Sequence, residues 1–319
     1  MNNNLHLVLG GAGAIGGAVI NELKKRKVLV KAVERSKKVE GIETVTADLS
    51  DLIQTKKAIQ GASYVYLCAG LPYRSDIWLK SWPKIMKNVI QACTEHRARL
   101  IFFDNVYMYG PPPLPIPFDE MSSQNPLTKK GKARKETADL LLAAHNAGKV
   151  KALIGRSADF YGPYAVNSSF YIKFLENIQK DKAPQVLGKP GIKHTYAYTE
   201  DNARALVNLA LDDSTYGEVW HLPTGNPITI DEVATIFNKN LGKDFKVSYM
   251  SRILLKILSI FISPLREVGE VLYQFDAPYV MSWEKFKKKF PDFKVTPYNE
   301  GIEKMIQSFK SGFTGKSNL

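Results

Sequence analysis

Near its amino end the chain reads Leu5-His6-Leu7-Val8-Leu9-Gly10-Gly11-Ala12-Gly13-Ala14-Ile15-Gly16, and its architecture can be argued from this segment. The first five residues form a mostly apolar run with the length of a buried strand. A helical pattern of apolar residues begins at Ala14 and continues to Lys25. Three glycines with the spacing GxxGxxG separate the two patterns. The segment therefore predicts a β-strand that turns tightly into an α-helix.

Each glycine of this turn has its own physical reason. Gly10 permits the tight turn, Gly13 lets a pyrophosphate approach the backbone, and Gly16 allows the helix to pack closely on the strand. The N–H groups at the start of the helix, around Ala14 and Ile15, have no intrahelical partner and can donate to phosphate oxygens. A plain tight turn would look similar, but the order of strand, glycines, helix and second strand favours a dinucleotide site.

The end of the second predicted strand bears on the choice between NAD and NADP. Glu34 could accept hydrogen bonds from a ribose 2′-hydroxyl, which favours NAD, whereas Arg35 could pair with a 2′-phosphate, which favours NADP. Ser36 and two lysines follow Arg35 and make a corner suited to phosphate, so the sequence slightly favours NADP. Exposed charges at the end of a strand would explain the same residues without a cofactor.

Two further strand ends are expected to border the dinucleotide. Asp48 and Leu49 follow the third predicted strand and are expected beside the adenine. Cys68, Ala69 and Gly70 end the fourth, where small side chains would let the dinucleotide cross the edge of the sheet.

Strand and helix patterns alternate through the first half of the chain. We expect strands at residues 5–9, 28–33, 42–46, 64–68, 100–104 and 150–156, and the clearest helices at residues 14–25, 82–96 and 132–147. Such alternation is typical of a parallel sheet covered by helices on both faces. The sequence therefore predicts an α/β protein with a doubly wound parallel sheet of the Rossmann type.

The alternation breaks after Arg156, where glycine and proline pairs punctuate shorter elements. We expect a dinucleotide-binding domain over residues 1–160 and a smaller, partly helical substrate domain over residues 161–319. The second is expected to be interleaved with the first and to close over the carboxyl edge of the sheet. Residues 253–275 suggest two amphipathic helices broken at Ser263-Pro264, which would form a lid, an oligomer contact or, by default, plain core.

Composition narrows the class of protein. The chain has 319 residues, of which 45% are hydrophobic, so global disorder is excluded. The formal net charge of +13 comes from scattered lysines without a nucleic-acid-binding motif, which indicates a basic surface compatible with an anionic small molecule. The first residues lack a basic n-region and a cleavage-site pattern, so we expect a strand there rather than a signal peptide. Residues 253–262 are too few to span a bilayer, and no membrane partner is expected. Two cysteines without disulfide or metal-ligand spacing favour a cytoplasmic protein with no metal.

Five segments, in order along most of the chain, carry a resemblance to a known family. They are residues 10–16, Ala47-Asp48-Leu49, Tyr107-Met108-Tyr109-Gly110, residues 156–163 and residues 194–203. On these segments the chain resembles the short-chain dehydrogenase/reductase superfamily, in its extended branch of NAD-dependent epimerases and dehydratases. The resemblance implies a Rossmann domain, a substrate domain, a nucleotide-sugar substrate and a homodimer formed through a four-helix bundle.

The reaction centre departs from that family's pattern of a serine or threonine combined with a YxxxK helix. Asn105 stands at the serine position, and Lys130 and Arg134 stand where the tyrosine and the lysine would be. Arg134 can hydrogen-bond ribose hydroxyls but cannot release a proton. Lys130 would act as a general acid or base if burial and the nearby positive charge lower its pKa. Asn105 could donate to a substrate carbonyl.

Several alternatives stay open at this point. Lys130 and Arg134 could belong to a solvated basic helix face, since Lys129, Lys132 and Lys135 are basic too. Tyr107 competes with Lys130 as the proton donor, although a half-buried tyrosine commonly has only a packing role. The missing YxxxK motif also fits a sensor that binds the dinucleotide without chemistry.

Aromatic and polar residues fall on loops that follow strands, which is where open α/β sheets bind ligands. The candidate substrate residues are Tyr73, Tyr107, Asp159, Tyr161, His194 and Tyr196. Aromatic walls with few charges suit a sugar, a carbonyl-bearing ring or a similar organic substrate. His194 lacks a metal-ligand companion at helical spacing, so a hydrogen-bonding role is expected for it.

Overall fold

The computed structural model describes residues 4–250, 267, 269–270, 272–275 and 277–310. Its central sheet consists of β1 (His6–Leu9), β2 (Val30–Glu34), β3 (Thr44–Thr46), β4 (Tyr64–Leu67), β5 (Arg99–Asp104), β6 (Ala152–Arg156) and β11 (Val219–His221). The strand order is β11-β6-β5-β4-β1-β2-β3, and every neighbouring pair is parallel. The predicted doubly wound parallel sheet is confirmed.

Helices cover both faces of this sheet. On one face lie α1 (Ala14–Lys25) and α6 (Thr199–Leu211), which pack against each other. On the other face lie α2 (Leu52–Ile59), α3 (Ser75–His96) and α4 (Lys129–Asn146). Successive side chains of a strand point to opposite faces, so β1 and β4 contribute to two cores and are buried along their whole length.

The predicted strands lie within two residues of the observed ones, but two elements differ from expectation. Helix α3 begins at Ser75, seven residues before the predicted start at Trp82, and continues through Pro83. The additional helical turns before residue 82 are stabilised by Trp78, which packs into the core on that face of the sheet. Strand β11 was not expected, because three residues carry little pattern and its position depends on pairing with β6.

The later chain forms a second layer with its own aromatic core. Apart from α6 and β11, the elements of the later chain are β7 (Phe160–Tyr161), a π-helical turn (Tyr171–Leu175), α5 (Glu176–Gln179), β8 (Gln185–Leu187), β9 (Lys193–His194), β10 (Ala197–Tyr198), β12 (Ile228–Thr229), α7 (Ile230–Leu241), β13 (Ser248–Met250), a 3₁₀ turn (Leu272–Phe275), α8 (Glu284–Lys289) and α9 (Tyr298–Lys310). Phe170, Phe174 and Phe237 lie at its centre. The two helices expected over residues 253–275 fall largely outside the described residues.

Three later elements, α6, β11 and α8, return to the first layer, and Phe286 of α8 packs in the core beside α1 and α6. Helix α6 and strand β11 follow residue 160 in the chain, yet both complete the central sheet and its cover. The division at residue 160 stays a prediction. Within the described ranges, no helix has both the length and the apolar character that a bilayer crossing requires.

Candidate functional site

The glycine turn lies where the strand order reverses, between β1 and β4. Gly10 has φ of +88°, and a Cβ there would lie 2.5 Å from the Cα of Ala69. A Cβ at Gly16 would lie 2.8 Å from the carbonyl carbon of Gly10 and closer still to its oxygen. Gly13 begins α1, and no described side chain caps that helix, so the N–H groups of its first turn are available to a phosphate. This geometry fits a dinucleotide.

Glu34 lies at the end of β2 and contacts the glycine turn. Its Oε1 accepts a hydrogen bond from the backbone N of Ala12 at 2.5 Å. Arg35 and Ser36, the residues that favoured NADP in the sequence, are exposed beyond the end of the strand. The carboxylate therefore lies closer to the turn than the basic corner does.

The ends of β3 and β4 border the same edge of the sheet. Asp48 and Leu49 follow β3 and are half-buried. Burial raises the pKa of the Cys68 thiol to about 12, so this side chain stays protonated at neutral pH. Ala69 lies against the glycine turn, and a Cβ on Gly70 would meet nothing within 4 Å. The backbone beyond β4 is thus open to a ligand.

Lys130 lies in the first turn of α4 and is fully buried. Its Nζ forms an ion pair with Glu267 and donates to the carbonyl oxygen of that residue at 3.1 Å. The same Nζ lies 3.4 Å from Oγ of Ser75 and 4.2 Å from the centre of the Tyr73 ring. Its closest charged partner is therefore a carboxylate, which the sequence did not anticipate.

Arg134 is also buried, one helical turn along α4. Its Nε donates to Oδ1 of Asp104 at 2.7 Å, and its guanidinium lies 4.3 Å from the ring of Trp82. Asp104 is shared with Arg156, whose Nε lies 3.4 Å from Oδ2. Arg134 is thus held by the end of β5, and its contact with a ribose stays a prediction.

The alternative of a solvated basic helix face is wrong for these two residues. Lys130 is 0% exposed and Arg134 is 3% exposed. Lys129 and Lys132 are the exposed lysines of the same helix. The basic cluster in the sequence therefore divides between the two sides of α4.

Asn105 and Tyr107 follow β5. Oδ1 of Asn105 accepts a hydrogen bond from the backbone N of Tyr107 at 3.1 Å. The hydroxyl of Tyr107 accepts from the hydroxyl of Tyr73 at 3.4 Å, and its ring stacks on Trp78. Burial raises the pKa of Tyr107 well above its usual value, so the phenol is protonated at neutral pH. We call Tyr73, Asn105, Tyr107 and Lys130 the Tyr107 cluster.

A second group, the His194 cluster, consists of Asp159, Lys173, His194 and Tyr196. Nε2 of His194 lies 3.7 Å from Oδ2 of Asp159, and its ring stacks on Tyr196. Burial, reinforced by Lys173, lowers the pKa of His194 to about 3, so the imidazole is neutral. Burial raises the pKa of Asp159, although Lys173 opposes this change. Within the described chain, the Tyr196 hydroxyl has no hydrogen-bond partner, whereas a hydrogen bond to the backbone of Gln274 opposes the lowering of the His194 pKa.

The two clusters are close enough to interact. Beside the larger effect of burial, the carboxylate of Asp159 raises the pKa of Tyr73, Tyr107 and Tyr196. Tyr161, by contrast, is 1% exposed and packs against Phe170 in the core of the later chain. The structure therefore places five of the six candidate substrate residues in two neighbouring clusters, whereas Tyr161 packs on Phe170, which Tyr196 also contacts.

Three residues of this region were missed in the sequence. Ser75 and Glu267 contact Lys130, but they are distant from it in the chain and lack a recognisable motif. Lys173 had a signal, because it is the one charged residue in the apolar run Phe-Tyr-Ile-Lys-Phe-Leu at residues 170–175. A lone charge in such a run must be exposed or bound to a partner.

The fold and the glycine turn define a dinucleotide-binding α/β protein. Residues 6–221 match the model of the NAD dependent epimerase/dehydratase family, and the chain belongs to this family of enzymes. The likeness seen in the sequence to the extended short-chain dehydrogenases and their relatives is thereby confirmed.

Individual relatives are more distant. A dTDP-glucose 4,6-dehydratase of Streptomyces niveus is 26% identical over 158 residues, which cover 48% of this chain and 46% of that protein. The epimerase Mth375 of Methanothermobacter thermautotrophicus superposes with a TM-score of 0.82 at 18% identity, covering 97% of this chain and 93% of that one. A UDP-glucuronic acid 4-epimerase of Bacillus cereus, in complex with UDP-glucuronic acid and NAD, gives 0.78 at 17% identity, covering 96% and 99%. At these identities the two structures show a shared fold.

Proposed function

We propose that the protein is an NAD-dependent oxidoreductase of the epimerase/dehydratase kind, acting on a small carbonyl- or sugar-type substrate. The observation that carries this proposal is the position of the Tyr107 cluster at the carboxyl edge of the sheet, the same edge at which the glycine turn opens. A site of this kind needs a dinucleotide cradle beside a group that exchanges a proton, and the chain supplies candidates for both.

We favour NAD over the NADP that the sequence slightly favoured. Glu34 contacts the turn directly, and its carboxylate can accept from ribose hydroxyls. A 2′-phosphate at the same place would bring two negative charges together. The Bacillus cereus epimerase, which shares the fold, was bound to NAD.

Tyr107 is our leading candidate for the proton donor. The hydroxyls of Tyr73 and Tyr107 lie 3.4 Å apart and form a hydrogen-bonded pair, in which either phenol can donate. Burial raises the pKa of Tyr107, so its phenol stays protonated at neutral pH and can hydrogen-bond a substrate oxygen on which negative charge develops. Asn105 uses Oδ1 to accept from the backbone, which leaves its Nδ2 free to donate to the same oxygen.

We assign supporting roles to the two basic residues of α4. Lys130 holds the Tyr73 ring and anchors Glu267, so it can set the electrostatic environment of the tyrosine pair. Arg134 positions Asp104 at the end of β5, directly before Asn105. A bound NAD would supply reversible hydride transfer to and from a substrate carbon.

The test separates cofactor binding from chemistry. Calorimetry with NAD, NADH, NADP and NADPH should give the tightest binding for the NAD pair. Tyr107→Phe should leave the Kd for NAD unchanged and lower kcat by about 10²- to 10⁴-fold, the usual contribution of a proton donor. Tyr73→Phe is the matched control and should lose less. If Lys130→Ala, Asn105→Ala and Tyr107→Phe all keep full turnover, these assignments are wrong.

A second candidate function is a sensor that binds NAD without turnover. Lys130 supports it, because the lysine that replaces the family's tyrosine is held in an ion pair. A partner protein that binds only the oxidised or only the reduced form would favour the sensor, whereas hydride transfer to bound NAD would exclude it.

A further inference from the structure

Exposed basic residues line the amino edge of the central sheet, on the side opposite the glycine turn. A helix that links two parallel strands ends where the next strand begins, so α1, α2, α3 and α4 all end at this edge. The basic residues stand in the last turns of these helices or in the short connections that follow. They are Lys24, Lys25, Lys27, Lys57, Arg97 and Lys149, and we call them the basic edge.

Contacts between neighbouring elements show that these chain ends lie side by side. Nζ of Lys56, in the last turn of α2, lies 2.5 Å from Oε2 of Glu95, near the end of α3. Arg99 at the start of β5 and Lys151 before β6 both pair with Asp213, which follows α6. In the sequence the lysines look scattered, and the fold brings them to one surface.

The carboxylates near this edge are mostly bound to other basic residues. The further pairs are Glu22 with Arg26, Glu43 with Lys31, Asp212 with Lys289 and Glu218 with Lys285. None of the six residues of the basic edge forms an ion pair within the described chain. Glu40, in the loop before β3, is exposed and has no such pair there either, so it can offset one of these charges. A net positive charge therefore remains on the edge.

Stabilisation of the helix ends explains only part of this charge. Basic side chains interact favourably with the negative end of the helix dipole, but the effect falls off beyond the last turn. Lys24, Lys25 and Lys57 lie in such turns. Lys27 and Lys149 lie in the connections beyond α1 and α4. The basic edge thus carries more charge than its helices use.

Two exposed leucines lie on the same side of the sheet. Leu29, directly before β2, is 54% exposed, and Leu211, the last residue of α6, is 44% exposed. Lysines that attract anionic headgroups, combined with apolar side chains that enter the lipid interface, are typical of surfaces that adsorb to membranes.

A nucleic acid is a poorer match to this surface. Proteins read duplex DNA with a helix or ribbon that enters a groove, and they bind single strands with aromatic rings on which bases stack. Here the helices end at the edge, and its aromatic rings are not free for stacking. Tyr64 is buried, and Arg99 lies over the rings of both Tyr64 and Tyr216.

We infer that the basic edge, with Leu29 and Leu211, is a docking surface for a membrane rich in anionic lipids. The protein adsorbs with the amino edge of the sheet on the bilayer, and the glycine turn then faces away from the lipid. The sequence predicted no membrane partner because its apolar run is too short to span a bilayer, but adsorption needs no span. The inference does not depend on the proposed function.

Co-sedimentation of the full chain with lipid vesicles tests the inference. Vesicles of equal parts phosphatidylglycerol and phosphatidylcholine should retain the wild type, whereas vesicles of phosphatidylcholine alone should not. The triple variant Lys24→Gln, Lys25→Gln, Lys27→Gln should bind about a hundredfold more weakly, because each basic residue near an anionic membrane contributes about fivefold. Added salt should weaken the binding, since it screens exposed charges.

The matched control removes the same charge from the later layer. Lys189→Gln, Lys239→Gln, Lys246→Gln changes exposed lysines without an ion pair in the described chain and should bind vesicles as the wild type does. The double variant Leu29→Ser, Leu211→Ser should bind vesicles about fivefold more weakly, because its apolar contact with the interface is lost.

Four outcomes would overturn the inference. Anionic vesicles may fail to retain the wild type, the two triple variants can lose binding equally, or the leucine variant can bind vesicles as the wild type does. The fourth is tighter binding to a DNA duplex of random sequence than to the vesicles, which would assign the basic edge to nucleic acid. NAD binding involves the opposite edge of the sheet, so its outcome is independent of this test.

Discussion

Replacement of Gly16 by alanine should distort the dinucleotide cradle. The new Cβ would lie 2.8 Å from both the carbonyl carbon of Gly10 and the Cα of Gly11, and closer still to the Gly10 oxygen. All three atoms are backbone, so no side chain can rotate to make room. The start of α1 must therefore move away from β1 by roughly 1 Å, which is the kind of strain that overpacking imposes.

The size of the effect can be estimated from this displacement. Overpacking costs about 1–3 kcal/mol of folding stability. The N–H groups of Ala14 and Ile15 move with the helix, and a hydrogen bond to a charged group is worth about 1.5–3 kcal/mol. Since about 1.4 kcal/mol corresponds to a tenfold change in Kd, losing one such bond weakens NAD binding at least tenfold.

Calorimetric titration with NAD measures the loss, and Gly17→Ala provides the control on the same helix. A Cβ at Gly17 would lie 3.6 Å from the Gly11 oxygen, an ordinary contact. Alanine is favoured over glycine within a helix by about 0.5–1 kcal/mol, so this variant should be slightly more stable and bind NAD normally. Wild-type affinity in Gly16→Ala, or equal losses in both variants, would refute the assignment of this turn to the cofactor.

Three further outcomes are expected from single replacements. Arg134→Ala should lower the free energy of unfolding, measured in urea, by about 3 kcal/mol, because it leaves Asp104 buried with a weaker partner. The control Arg74→Ala removes an exposed ion pair and should cost less than about 1 kcal/mol. Equal losses in the two variants would contradict this view of Asp104. Glu34→Gln should reduce the preference for NAD over NADP about tenfold, since a charge-assisted hydrogen bond is lost. The preference is the ratio of the Kd values for NADP and NAD, measured by titration of each variant. An unchanged ratio would show that Glu34 does not select the cofactor. The pKa of His194 is lowered to about 3 in the native state, so between pH 6.5 and 3 the unfolded chain binds a proton that the native protein does not bind. The free energy of unfolding should therefore decrease as the pH is lowered, by up to about 1.4 kcal/mol per pH unit. His194→Phe should remove that part of the slope in urea titrations at pH 7 and 5, and an identical slope would show that the imidazole is not held neutral.

The parts of the fold that the sequence predicted are those with a local cause. The turn at residues 10–16 depends on which residues tolerate a tight bend, and the sheet depends on strand and helix patterns a few residues long. Helix α3 was predicted to start too late, because its first turns depend on Trp78, which packs into a core formed by distant segments.

The sequence predicted where the candidate site residues lie along the chain, but it did not predict which residues they contact. Asn105, Lys130 and Arg134 were found by counting from neighbouring motifs, and the structure brings them to the end of β5 and the start of α4. The partner of Lys130 is 137 residues away, and no local pattern encodes such a pairing. The sequence shows Lys173 as the one charged residue in an apolar run. Whether its side chain would be exposed or buried could not be predicted, because this depends on the packing of the later chain.

β11 is the last strand of the central sheet in chain order, and α6, which packs on α1, also lies late in the chain. The central sheet and its cover therefore stay incomplete while the chain is being synthesised. Until residue 221 has left the ribosome, β6 is an open edge, and the side of α1 that packs on α6 stays uncovered until α6 forms. An unpaired edge next to uncovered apolar surface is prone to association with other chains. A nascent or truncated product that ends near residue 160 is therefore an aggregation hazard and a natural client for chaperones.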